Sequence, residues 1–107
     1  MDPTQAERQG LVNGRHYAEF VESVTKLRRE GDDAGAEKLL LTLVEAVERE
    51  ANAARWPVAP WYYDQLAIIY RARKDAAAEV AILERYARQP GSSNPNLLGR
   101  LDKARRP

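Results

Sequence analysis

The sequence contains no cysteine, a single histidine and no long apolar run. Without cysteine, disulfide scaffolds, thiolate zinc sites and cysteine nucleophiles are excluded. No apolar stretch approaches the roughly 20 residues that a membrane-spanning helix requires, and the amino terminus, MDPTQAERQG, has no apolar signal-peptide core. These absences predict a soluble cytoplasmic protein without a membrane partner.

Length and charge set further limits on the chain. Its 107 residues are enough for one domain with a modest core. The formal net charge of +1 hides an asymmetry, because residues 1–70 carry 8 Lys or Arg against 12 Asp or Glu, whereas residues 71–107 carry 9 against 4. The carboxy-terminal third is therefore the basic part of the chain.

A first helical hairpin is predicted between residues 15 and 54. Residues 1–14 are polar, contain two glycines and lack helical periodicity, so they predict a flexible lead-in, with contact of Leu11 and Val12 with the domain as an open alternative. From residue 15 onward apolar residues recur at helical spacing, and Gly31 followed by two aspartates predicts the break before a second, longer helix. The two apolar stripes are Tyr17, Phe20, Val21, Val24 and Leu27, and then Leu39, Leu40, Leu43, Val44, Val47 and Ala51.

A second hairpin is predicted between residues 60 and 90. Pro57 and Pro60 separate it from the first, because the residue before a proline avoids the helical region and proline suits the first turn of a helix. After Pro90 comes a cluster of turn residues, and three leucines at helical spacing then predict a short helix within residues 91–107 that caps the hairpin. These leucines are Leu97, Leu98 and Leu101.

The second hairpin has the residue spacing of a known repeat. Its arms carry Tyr63, Leu66, Ala67 and Tyr70, and then Ala78, Ile82 and Pro90. This resembles the tetratricopeptide repeat, W-x2-L-G-x2-Y, A-x3-F and a closing P, with three conservative replacements and one residue fewer between the arms. Residues 17–24 repeat the first part of the pattern more weakly. A true repeat and a hairpin that converged on similar packing both predict an all-α fold of two stacked antiparallel helical hairpins with a carboxy-terminal capping helix.

The resemblance also implies a function. In tetratricopeptide proteins, the first helices of successive pairs line a concave groove that takes extended peptides or helices. It implies a non-catalytic interaction or scaffold module that binds a peptide or helix of a partner protein, alone or as an accessory domain. Tyr62 and Ile69 are the favoured contacts, because they lie seven residues apart on one face and outside the core stripe. The other candidates, for which a merely solvated face is the alternative, are Glu19, Lys26, Gln65 and Arg73.

Two other functions stay open. The basic carboxy-terminal third could bind nucleic acid or an acidic partner through clustered cations, although no aromatic residue is interleaved with them. Two repeats are fewer than such arrays usually need for stability, so a homodimer could cover an exposed end of the stack. The cations of the alternative patch are Arg100, Lys103, Arg105 and Arg106.

Catalysis is not expected from this sequence. The single histidine, His16, lies at the start of a predicted helix with no general-base partner near it in sequence, which is typical of a solvated or capping residue. The carboxylates show no spacing of a metal site, and no glycine-rich loop follows a predicted strand. We therefore predict no catalytic residues, no metal and no cofactor.

Overall fold

The computed structural model describes residues 3–106, and most of these residues are helical. The expected all-α class is confirmed, and the strands found in this range form a single two-stranded antiparallel hairpin. No helix in the described range is long and apolar enough to cross a membrane. The elements in chain order are α1 (Pro3–Gln9), β1 (Leu11–Val12), β2 (Arg15–His16), a 3-10 helix (Tyr17–Phe20), α2 (Val21–Arg29), α3 (Asp33–Ala54), α4 (Trp61–Ala72), α5 (Ala76–Ala87) and α6 (Pro95–Arg105).

The chain divides into two compact units, whereas its length predicts a single domain. The first unit ends at Trp56 and the second begins at Pro57. The boundary follows Arg55, which has a φ of 60° and ends α3 in the left-handed conformation. It lies in the proline-containing segment that the sequence predicts between the two hairpins.

The first unit is built around α3. Gly31, with a φ of 80°, follows the end of α2, and Asp32 caps α3 by accepting a hydrogen bond from the Gly35 N–H at 2.9 Å. The predicted break and the predicted long helix are therefore confirmed. Helices α1 and α2 and strand β1 pack against α3. Its most deeply buried side chains are Ala36, Leu40, Leu43, Val44, Ala46 and Val47.

Residues 3–14 are not the flexible lead-in that the sequence predicts, while residues 1 and 2 lie outside the described range. Helix α1 packs against α3 and buries Ala6, and Val12 of β1 is buried as well. Arg49 of α3 donates hydrogen bonds to the carbonyl groups of Gln9 and Leu11. The prediction is wrong because a two-turn helix with one buried alanine has no visible apolar periodicity, and its anchors come from α3.

The helix predicted from residue 15 begins later than expected. Arg15 and His16 form β2, and the next four residues form the 3-10 helix, so the α-helical part starts at Val21. Of the predicted apolar stripe only Val24 is fully buried, and the other members are half-buried. The side chain of His16 accepts a hydrogen bond from the Ala18 N–H and so supports the 3-10 turn in place of a regular helix start.

In the second unit, α5 packs against both α4 and α6. Helices α4 and α5 form a contacting pair joined by a turn of three residues. Its turn contains Lys74, with a φ of 60°, and Asp75, which caps α5 through the Ala78 N–H at 3.1 Å. The rings of Tyr63 and Tyr86 meet edge to face with centroids 5.4 Å apart. The carboxy-terminal helix that the sequence predicts corresponds to α6, which buries Leu97 and Leu101.

The hydroxyl group of Tyr86 fixes the turn between α5 and α6. It accepts hydrogen bonds from the backbone N–H groups of Ser93 at 3.1 Å and Asn94 at 2.9 Å. The Asn94 side chain then caps α6 by accepting from the N–H groups of Asn96 and Leu97. Because Tyr86 is only 3% exposed, a buried side chain of α5 sets the position at which α6 begins.

Replacing Tyr86 by Phe should lower the free energy of unfolding by about 1–3 kcal/mol, because two part-buried backbone N–H groups lose their acceptor. Urea denaturation followed by circular dichroism measures the change. Thr25→Val is the control, since the exposed Thr25 hydroxyl bonds within its own helix and its removal should change stability by less than about 0.5 kcal/mol. Equal small effects in the two variants would contradict the assigned role of Tyr86.

Candidate functional site

The favoured partner-binding candidates on α4 lie in the core. Tyr62 is 4% exposed and Ile69 is 0% exposed, so neither presents a free surface. Of the other two candidates nearby, Gln65 is half-buried and Arg73 is exposed. The expected exposure of Tyr62 and Ile69 is wrong because α4 buries a wider stripe than its repeat-like spacing predicts. That stripe consists of Tyr62, Tyr63, Leu66, Ala67, Ile69 and Tyr70.

The open face of α4 has a different set of residues. Trp61, Asp64, Ile68 and Arg71 recur at i, i+3, i+7 and i+10, and none of them is buried. Asp64 and Arg71 are the two charged residues within α4. The spacing of these charges, read in place of the apolar spacing, would have identified the solvent face from the sequence.

A groove of about 670 Å³ lies between α4 and α6. The open face of α4 forms one wall, and the other wall consists of α6 and the residue before it. Helix α5 packs against both α4 and α6, and it therefore holds them on the two sides of the groove. The groove is lined by Pro60, Trp61, Asp64, Arg71, Asn94, Pro95, Asn96, Leu97, Gly99, Arg100 and Lys103.

Three cations and one carboxylate determine the charge of the groove. Arg100 of α6 donates a hydrogen bond from Nη1 to Oδ1 of Asp64 on α4, and the two side chains are 31% and 32% exposed. Arg71 and Lys103 are exposed to solvent. The lining therefore carries a formal charge of +2, which favours an anionic ligand.

The amino terminus of α6 adds little to this attraction. The side chain of Asn94 already accepts hydrogen bonds from the N–H groups of Asn96 at 3.0 Å and Leu97 at 3.2 Å. Pro95, at the first helical position, has no N–H group to donate. The affinity of the groove for anions therefore depends on its arginine and lysine side chains.

The four cations predicted as a phosphate or acidic-partner patch do not act as one cluster. Arg100 and Lys103, one helical turn apart, line the groove. Arg105 instead donates from Nη2 to Glu84 Oε2 of α5 at 3.3 Å, and Arg106, the residue after α6, has an exposed side chain. The structure therefore divides these four residues: Arg100 and Lys103 line the groove together with Arg71 of α4, and the other two lie outside it.

The remaining candidates, Glu19 and Lys26, belong to the first unit. The Glu19 carboxylate accepts a hydrogen bond from the His16 N–H at 3.1 Å and lies 3.7 Å from the Arg15 side chain. Glu19 therefore completes the cap of the 3-10 helix. Lys26 is exposed on α2. Neither residue lines the groove.

His16 has an acidic partner that its sequence neighbours do not reveal. Its Nε2 atom lies 2.5 Å from Oε2 of Glu50, a residue of α3 that is 5% exposed, and the Tyr17 hydroxyl lies 3.5 Å from the other carboxylate oxygen. Because Nδ1 accepts from the Ala18 N–H, we assign the ring proton to Nε2, where it faces Glu50. Both ring nitrogens of His16 therefore take part in hydrogen bonds, and the contact between His16 and Glu50 connects the β1–β2 hairpin to α3.

Neither metal binding by the described residues nor likeness to known proteins indicates a function. Residues 3–106 contain no group of three or more His, Cys, Asp or Glu side chains that could hold a metal ion. Compared with protein-family models, with curated proteins and with solved structures, the chain matches none of them.

Replacing Ile69 by Ala should destabilise the protein by about 2–5 kcal/mol, because the side chain is fully buried. Ile68→Ala is the matched control, since it makes the same chemical change at the next, half-buried position of α4 and should cost less. Both values come from urea denaturation. An Ile69→Ala variant of unchanged stability would restore this residue as a candidate for partner contact.

Replacing Gly10 by Ala should destabilise the first unit by about 1–3 kcal/mol, because the added Cβ atom would overlap the Glu50 carboxylate and the His16 ring. Gly99→Ala in α6 has open space around its Cβ position and should stabilise by about 0.4–1 kcal/mol. Thermal unfolding measures both changes. If Gly10→Ala were as stable as the original chain, close packing of this turn against Glu50 would be excluded.

Proposed function

We propose that this chain is a non-catalytic protein-interaction module whose second unit binds an acidic peptide segment of a partner protein. The groove between α4 and α6 carries this proposal, because its lining combines exposed cations with apolar side chains. Open grooves between two helices suit an extended or helical segment, whose side chains can reach both walls. The module acts by holding its partner, and no catalytic residue is assigned.

Charge complementarity selects the ligand. Arg71 and Lys103 are exposed at the groove, and its formal charge is +2. The half-buried ring of Trp61 offers a large apolar surface beside these cations, which suits an aliphatic or aromatic side chain of the ligand. A segment with several Glu or Asp residues and one apolar anchor matches this lining.

The same charges favour a peptide over a nucleic acid. Two of the four cations in the predicted basic patch are already paired with protein carboxylates, Arg100 with Asp64 and Arg105 with Glu84. A phosphate backbone needs a run of available cations along its length, whereas a short acidic segment needs only a few.

A tetratricopeptide-like helical hairpin within each unit is a further part of the proposal. Its support is the spacing shared by residues 17–24 and 63–70. In the proposed module the ligand contacts the open face of α4, including Trp61 and Arg71, and does not depend on the buried Tyr62 and Ile69. Self-association is the alternative to binding of a separate partner. Measuring the mass of the protein at several concentrations distinguishes the two.

The test uses a fluorescently labelled short peptide that contains several Glu residues and one Leu, and its counterpart in which every Glu is replaced by Gln. The acidic peptide should bind, and the Arg71→Gln/Lys103→Gln variant should bind it about five- to fiftyfold more weakly, since two ion pairs are lost. Fluorescence anisotropy measures both affinities. Higher salt should weaken binding, because exposed charges are screened.

The matched control is Arg88→Gln/Arg106→Gln, which removes the same charge at two exposed positions outside the groove. This variant should retain the affinity of the original chain to within about twofold. Equal losses in the two variants would reduce the effect to net charge and contradict the groove. Tighter binding of a single-stranded oligonucleotide than of the acidic peptide would favour the nucleic-acid alternative.

A further inference from the structure

We infer that Asp64 is an internal competitor of the groove's anionic ligand and sets how acidic a peptide must be to bind. This inference rests on the proposed function. Asp64 and Arg100 lie on opposite walls of the groove, and the Arg100 guanidinium donates its hydrogen bond to the Asp64 carboxylate. A carboxylate of the chain itself therefore occupies a cation that would otherwise be available to the ligand.

The exposure of the pair allows exchange. The two side chains are 31% and 32% exposed, so solvent and a ligand carboxylate can reach them. A ligand carboxylate that replaces Asp64 on Arg100 exchanges one ion pair for another of the same kind, and the net gain is small. The displaced Asp64 carboxylate then remains in the groove, where it repels the ligand.

The consequence is selection for acidic segments. A peptide with one carboxylate can be held by Arg71 or Lys103, but it gains little from Arg100. A peptide with several carboxylates engages both exposed cations and offsets the repulsion from Asp64. Asp64 thus acts as a repulsive element that lowers the affinity for acidic segments, so a peptide needs more carboxylates to reach a given affinity.

Asp64→Asn removes this charge with little change in shape. The asparagine retains an oxygen that can accept a hydrogen bond from Arg100, so the side chain of Arg100 can still span the groove. Asp102→Asn is the matched control, because Asp102 is an exposed residue of α6 that does not line the groove and the charge change is identical. Circular dichroism and urea denaturation establish that both variants are folded.

The experiment measures the affinity of labelled peptides that carry one, two or four Glu residues in the same Leu-containing frame, with the Gln peptide as the neutral probe. Asp64→Asn should bind the acidic peptides about three- to tenfold more tightly than the original chain does. It should therefore need fewer Glu residues in a peptide to reach the same affinity. Asp102→Asn should change these affinities by less than about twofold, since it acts only at a distance. Binding of the neutral peptide should not increase.

Arg100→Gln tests whether the gain comes through Arg100. In the original chain it should weaken binding, because it leaves the Asp64 carboxylate without its cation, and in the Asp64→Asn chain it should remove the gain, so that the double variant binds about as tightly as the original chain. If Asp64→Asn binds no better than the original chain, or loses affinity because Asp64 only bridges α4 and α6, the inference is wrong while the proposed function stands. If neither the original chain nor Asp64→Asn binds any acidic peptide, both are wrong.

Discussion

The packing of α4 and α6 on a shared helix, α5, is the constraint on which the second unit depends. A unit of this size has few apolar side chains to bury, so each helix must use most of one face for the core. Helix α5 contacts both neighbours and also anchors the turn before α6 through the Tyr86 hydroxyl. The space left between α4 and α6 is a direct result of this arrangement.

The first unit meets the same constraint around α3 and adds polar anchors to it. Apolar side chains of α3 fill the core. Near the carboxy end of α3, Arg49 binds carbonyl groups of α1 and β1, and Glu50 binds His16 of β2. Glu50 is a buried carboxylate, and it is stabilised there because the His16 ring and the Tyr17 hydroxyl lie within hydrogen-bonding reach. A short segment with little apolar surface of its own is thereby ordered.

The groove illustrates how a core decides which residues are available for function. Burial of Tyr62 and Ile69 removes the surface that the repeat-like spacing indicated. Because these two side chains face the core, Trp61, Asp64 and Arg71 lie on the open face of α4. Arg100 then meets Asp64, while Arg105 is engaged by Glu84. The proposed affinity for acidic segments thus follows from which cations the folded unit leaves exposed, and the total charge of the basic third does not determine it.

The sequence by itself determined the helical class, the long helix α3, the break at Gly31 and Asp32, and the leucines that α6 buries. These features depend on periodicity and capping, which act within one or two helical turns. The tertiary structure alone decided the packing of α1 against α3, the pairing of His16 with Glu50, and the division of the basic residues between the groove and α5. Each of these is a contact between residues far apart in the chain, and no local pattern specifies which distant side chain will be the partner.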